Sequence, residues 1–182
     1  MHEAPRSLNE VGFPPDLNTI PELPRLPISP YEGYQTLPFQ EGFDVPEILR
    51  MARDKDGLPD DHPFYLVDFS SQLKPDANVT LLIELDDAAH LEAHNSKGFS
   101  LYYRGDPDSQ GHCRSFCVWQ SMKEAWDASQ KPAHREAADS VDDMYSWYQV
   151  STREAQLNMT PLGFSFGLVK THSSDGELHI GV

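Results

Sequence analysis

Between Phe64 and Gln156 the chain reads as strand, helix, strand, strand, helix, strand. Few architectures accept that order, so it constrains the fold more than any other feature. It constrains the chemistry far less, because one fold hosts many functions. Helix and strand are told apart here by the period of the apolar residues and by the turn and cap residues between segments.

Phe64 to Ser70 is predicted as the first strand, after the His62-Pro63 break. Asn78 to Asn95 is the ambiguous segment, since Val79 to Leu85 has strand-like composition. At 100° per residue, however, Leu81, Leu82, Leu85, Ala88, Ala89 and Ala93 share one arc. With Asn78 as N-cap and Gly98 as terminator, the segment reads as one helix. Phe99 to Arg104 is the second strand, and Gly105 to Gly111 is a loop dense in turn residues. His112 to Gln120 is the third strand. Ser121-Met-Lys-Glu124 is a capping box that starts a helix, and Pro132 divides it into pieces near 122–130 and 133–143. Met144 to Gln156, rich in aromatic and β-branched residues, is the fourth strand. The whole is the ferredoxin-like α+β plan with a four-stranded antiparallel sheet.

Segments flank this core. Eight prolines fall within residues 1–43, interspersed with Phe13, Leu17, Ile20, Tyr31, Tyr34 and Phe39. Proline disfavours regular structure, and the apolar residues argue against a fully disordered tail. An extended arm is expected, lying on its own domain or on a partner subunit. Asp44, Pro46 and Glu47 mark a leading helix over 44–56, which opens the domain predicted at 44–157. Residues 158–182 are expected to add a hairpin from Phe164–Thr171 and Glu177–Val182, joined at Ser174-Asp175-Gly176.

The net charge of −15, from 29 acidic and 14 basic residues, gives a surface that repels phosphate backbones and anionic lipid. Neither nucleic acid nor membrane is an expected partner, and solubility accounts for the charge. Cys113 and Cys117 share one face of one strand, roughly 13 Å apart, too far for a bridge. Two free thiols fit a reducing compartment, the sequence has no 18-residue apolar run and its start has no apolar leader, so a cytoplasmic location is expected.

Several residues could carry chemistry. Glu92 falls in the apolar arc, where desolvation would raise its pKa into the range useful for acid–base work; the competing reading is a glutamate that reaches solvent. His90 and His94 have a spacing that can bind metal, yet they lie opposite the arc beside Asp86 and Asp87 and read as a solvated face. Tyr102 and Arg104 share one side of the second strand, with Tyr103 on the other beside Phe99 and Leu101. A tyrosine hydroxyl can donate to a developing oxyanion and an arginine can hold a carboxylate or enolate; an aromatic core face with a rim charge is the alternative. His134, in the first turn after Pro132, meets the positive end of its helix, which favours the neutral imidazole. A cysteine nucleophile has no base placed beside it, so buried structural thiols are expected. No metal-ligand cluster, P-loop or GxSxG motif is present. Arg104-Gly105-Asp106 spells an adhesion tripeptide by accident.

The element order, with Phe116-Cys-Val-Trp119-Gln120-Ser121 running into a helix that carries Pro132 and His134, resembles the dimeric α+β barrel superfamily. That superfamily includes antibiotic-biosynthesis-monooxygenase-like proteins, and the resemblance spans about residues 63–157. It implies a homodimer that pairs its sheets, with a ligand site between sheet and helices. Members include cofactor-free monooxygenases, cyclases, isomerases and dehydratases, and also haem-binding enzymes, without a common catalytic set.

The expectation is therefore an enzyme without cofactor, acting by acid–base catalysis on an apolar, oxygenated molecule such as a polyketide or terpenoid intermediate. Glu92, Tyr103, His134 and His94 would move protons, Arg104 would stabilise negative charge, and Phe69, Phe99, Tyr102, Phe116 and Trp119 would line the site. The alternatives are a non-catalytic ligand-binding or interaction module, and a haem- or metal-binding enzyme of the same fold.

Overall fold

The computed structural model describes residues 28–158, 163–166, 169–173 and 178–181. After a turn region come a short helix, α1 (Phe39–Gly42), and the helix α2 (Val45–Asp56). Then follow β1 (Phe64–Leu73), α3 (Val79–His94), β2 (Phe99–Tyr103) and β3 (His112–Trp119). Next are α4 (Met122–Ser129), α5 (Pro132–Asp139), α6 (Val141–Met144) and β4 (Tyr145–Asn158). The chain closes with β5 (Gly163–Phe166), β6 (Val169–Ser173) and β7 (Leu178–Gly181).

The core sheet runs β2-β3-β1-β4 with every pair antiparallel. Strand, helix and strand thus alternate in the βαββαβ order, and the fold is ferredoxin-like α+β. Beyond β4 the sheet continues through β6 and β7, and β5 also pairs with β4. The first tail strand expected at 164–171 is therefore two strands on one partner. The proposed turn at 174–176 lies outside the described residues.

Local chemistry explains the element ends. The Asp44 carboxylate accepts the Glu47 amide at 3.0 Å and Gly57 closes α2 in the left-handed conformation, φ 64°. The Asn78 side chain accepts the Leu81 amide at 3.2 Å at the start of α3. Ser121 and Glu124 form the expected capping box of α4, with Ser121 Oγ accepting the Glu124 amide at 3.3 Å and donating to its carboxylate at 2.9 Å. The second crossover divides into three helices rather than two. Pro132 begins α5, and at Ser140 the chain is re-aimed into the single turn of α6.

The two faces of the sheet are covered differently. One carries Phe64, Leu66, Leu101, Tyr103, Phe116, Val118 and Ala155, and packs against Tyr34, Phe39, Phe43, Val45, Ile48, Leu49 and Ala52. The described part of the expected arm, residues 28–43, therefore lies on its own domain and supplies three rings to the core; residues 1–27 are outside the described residues. Phe39 meets Phe116 edge-on at 5.2 Å, and Phe43 meets Tyr103 at 5.4 Å. Residues 34–52 of the same chain thus bury this face of the sheet.

A charge network is sealed beneath that cover. Arg114 donates to Asp68 from Nε at 2.8 Å and from Nη2 at 2.7 Å. Its Nη1 reaches back to the carbonyl of Leu37 and, at 3.4 Å, to that of Tyr34. Arg153 Nη2 lies 3.5 Å from the same aspartate. Both guanidiniums sit over the Phe39 ring, at 5.6 and 5.5 Å from its centroid. Asp68 is 1% exposed, so this pairing is what makes its burial tolerable.

Candidate functional site

The other face meets the titratable groups of α3. Tyr65, Val67, Phe69, Phe99, Tyr102, Cys117 and Trp119 form its surface, with Ala93 of α3 and Ala125 and Ala128 of α4 packed on it. Phe99 belongs here because the β2–β3 register shifts between Phe99 and Leu101. That bulge breaks the simple alternation, so Phe99 joins Tyr102 rather than Tyr103. Ser100 is buried at the bulge and donates to Asp56 at 2.5 Å. Of the residues expected to line the site, Phe69, Phe99, Tyr102 and Trp119 are on this face. Phe116 and Tyr103 are on the opposite one, stacked on each other at 5.3 Å.

The helix α3 is rotated from the expected orientation. Of the expected arc Leu85 and Ala93 are buried, whereas Leu81 and Ala88 are exposed. Asp86, Asp87 and His90 look at the sheet instead of solvent. Tyr102 donates to Asp86 at 2.5 Å, and Arg104 Nη2 pairs with both Asp86 and Asp87. The His90 ring lies 4.6 Å from Tyr102 and 5.9 Å from Phe99. Acidic residues and a histidine can face a sheet when a partner arginine and tyrosine wait there, a pairing that a hydrophobic arc cannot register. His94 is exposed, with its ring 6.2 Å from Phe99.

Burial and charge set the protonation states. Burial pushes His90 below the ordinary histidine pKa, against the pull of Asp86, and favours the neutral ring. Its ring nitrogens make no hydrogen bond among the described residues. Burial acts to lower the Arg104 pKa, but Asp86, Tyr102 and Asp87 outweigh it and keep the guanidinium firmly charged. Burial also raises Tyr102, Tyr145 and Tyr148, so all three remain phenols. Tyr145 and Tyr148 stand 5.2 Å apart, and Phe69 is 6.3 Å from Tyr148. Their hydroxyls make no hydrogen bond among the described residues. Sequence reasoning missed this pair. The signal available was the alternation of β4, which puts Tyr148 opposite Ser71 and beside Phe69.

Both thiols are held in the protonated form. Burial pushes Cys113 and Cys117 up to about 12, with Cys113 donating to the Gly105 carbonyl at 3.2 Å and Cys117 accepting from Trp119 Nε1 at 3.0 Å. Gly105 is buried, and a Cβ there would lie 2.0 Å from the Arg114 carbonyl oxygen, so the Arg-Gly-Asp tripeptide is not displayed.

Glu92 is not the desolvated acid expected. It faces α5, where its carboxylate accepts the amides of Ala133 at 3.2 Å and His134 at 3.1 Å, and His134 Nδ1 at 2.7 Å. Burial pushes its pKa up, but these three bonds together hold it below the ordinary value. It caps a helix whose own N-cap residue, Lys131, provides no side-chain cap. Glu92 and His134 are thus brought together, on the far side of α3 from Tyr102 and Arg104. Glu92→Gln is expected to cost about 1–2 kcal/mol, the scale of a lost N-cap interaction. Because the folded pKa is depressed, this contribution is present above the unfolded carboxylate pKa and is lost as pH falls through the folded one. Thermal unfolding between pH 3 and 7 should show the wild type and variant converging at the acid end.

Among the described residues no group of three or more His, Cys, Asp or Glu side chains is gathered to hold a metal, and no helix is long and apolar enough to cross a membrane.

A family model described as PB2B2.08-like matches residues 27–160. The UPF0643 protein PB2B2.08 of Schizosaccharomyces pombe is 30% identical over 134 residues, which cover 68% of this chain and 61% of that protein. Similar solved structures include SnoaB, a cofactor-independent oxygenase from Streptomyces nogalater, with a TM-score of 0.43 and 10% identity over 54% of this chain and 98% of that one. Rv0793 from Mycobacterium tuberculosis has a TM-score of 0.43 and 17% identity, over 56% and 96%. A Nitrosomonas europaea protein provisionally described as an antibiotic biosynthesis monooxygenase has a TM-score of 0.45 and 13% identity, over 57% and 96%. The chain belongs to the PB2B2.08-like family.

Proposed function

We propose that this member of the PB2B2.08-like family is a small enzyme that binds an apolar, oxygen-bearing molecule between α3 and the sheet. It moves protons there without a nucleotide cofactor, as a cyclase, isomerase, dehydratase or monooxygenase would. The observation that carries this reading is His90, a neutral imidazole with no hydrogen-bond partner among the described residues, set against the Tyr102–Asp86–Arg104 chain. A neutral base near the working pH is what proton abstraction needs. Phe69, Phe99 and Trp119 give the apolar floor, and the Tyr145 and Tyr148 phenols are donors for a carbonyl or hydroxyl oxygen. Glu92 and His134 stabilise the helices around the site rather than act in it.

Once a substrate is found by screening aromatic ketones and phenols, His90→Gln should lower kcat/KM roughly a hundredfold, within the usual range for a general base. In the wild type, activity should fall on the acid side with an apparent pKa below about 6.5, the ordinary histidine value, and this limb should vanish in the variant. Turnover unchanged by His90→Gln would remove the base and leave a binding module.

A further inference from the structure

Few apolar residues fix the rotation of α3. Leu85 and Ala93 are buried, while Leu81, Ala88 and Leu91 are exposed. Polar ties do the fixing instead. Toward the C-terminal end Glu92 accepts the first amides of α5, and just beyond that end Lys131 Nζ reaches Ser96 Oγ at 2.6 Å. In the middle of the helix the tie is Arg104, the residue that follows β2. A single nitrogen, Nη2, meets both Asp86 and Asp87. Asp86 also accepts the Tyr102 hydroxyl at 2.5 Å. His90 stands one turn after these aspartates and shares their side of the helix. Its ring therefore lies against Tyr102, with 4.6 Å between centroids, and beside Phe99. The three charged side chains are between 20 and 31% exposed, and solvent ions screen partly buried pairs less than exposed ones.

Resting on the reading of His90 as the base, we propose that Arg104 is the positioning residue of the site: it pins Asp86 and Asp87 to the end of β2, sets the rotation of α3 and so seats the His90 ring on Tyr102. An arginine occupied by two carboxylates has a different task from holding the charge of a substrate. It also acts on His90 through its own charge. The groups facing that ring are Asp86, Asp87 and His94 of α3, with Tyr102 and Arg104 from the β2 side; Glu92 and His134 lie toward α5. Burial holds His90 low, Asp86 and Asp87 draw it up, and Arg104 and His94 press it down.

The NMR signals of the His90 ring, titrated with pH in the full chain, read both effects without a substrate. Arg104→Gln should raise the His90 pKa by roughly one unit and abolish the ring contact with Tyr102. Arg104→Lys should restore both, because a lysine ammonium is also one nitrogen able to meet two carboxylates. Glu92→Gln, which loosens α3 at its other tie, should leave His90 where it is. Asp87→Asn should lower the pKa with the ring contact kept, since the amide oxygen still accepts from Arg104 while one negative charge is gone. A loosened fold cannot mimic that fall, because exposure returns a desolvated histidine upward to its ordinary value. The Asp87→Asn arm therefore decides even where Arg104→Gln fails to fold. Four results would each overturn the positioning role: His90 unmoved in Arg104→Gln, no recovery in Arg104→Lys, an equal shift in Glu92→Gln, or a rise in Asp87→Asn. Turnover enters none of these readouts, so the base assigned to His90 stands or falls separately, on the activity of His90→Gln.

Discussion

Replacing Asp68 with alanine is expected to destabilise the protein by about 3–5 kcal/mol, because it strips a buried arginine of its carboxylate. Asp68 and Arg114 are both nearly inaccessible, and their two parallel hydrogen bonds are the bidentate kind that fixes orientation as well as energy. The arginine then ties the carbonyls of Tyr34 and Leu37, so the change propagates into the segment that covers the sheet. Urea unfolding of the two chains measures the loss. A triple change, Asp68→Leu with Arg114→Met and Arg153→Met, should recover most of it, because swapping a whole buried charge network for apolar groups is often near neutral. A loss under about 1 kcal/mol in the single variant would show that the pair does not hold the cover.

Phe39→Ala should be comparably severe, at about 3–5 kcal/mol. The ring is 1% exposed, touches Phe43 and Phe116, and lies beneath two guanidiniums. Removing it takes away apolar contact and also the ring faces on which Arg114 and Arg153 rest. The variant should bind a hydrophobic dye at micromolar concentration where the wild type does not, since the sheet face becomes reachable. A stable variant that excludes the dye would mean that α1 is an ornament on an already closed core.

Much of this fold was legible in the order of elements and in the caps at Asp44, Asn78 and Ser121, because capping and periodicity are local. The helical reading of Val79–His94 rested on an arc of leucines and alanines, and the helix is there, but its rotation could not be read. Leu81 and Ala88 of that arc face outward because α3 must satisfy two neighbours, the sheet and α5, and each recruits polar groups. Asp86 turns inward for Tyr102 and Arg104, and Glu92 turns sideways for the bare end of α5. Those partners are 16 and 42 residues away in sequence, beyond any local pattern. The same holds for Phe99, which a single bulge moves across the sheet. The aromatic residues near Pro38 did signal burial, though not which surface they would bury.

Closing the second sheet face with residues of the same polypeptide removes the encounter between molecules from the assembly of the core. No translational freedom is lost between partners, so the midpoint of unfolding at that face is not set by mass action. A roof supplied by a second subunit would lift off on dilution; residues 34–52 should stay on the sheet from micromolar to nanomolar solution.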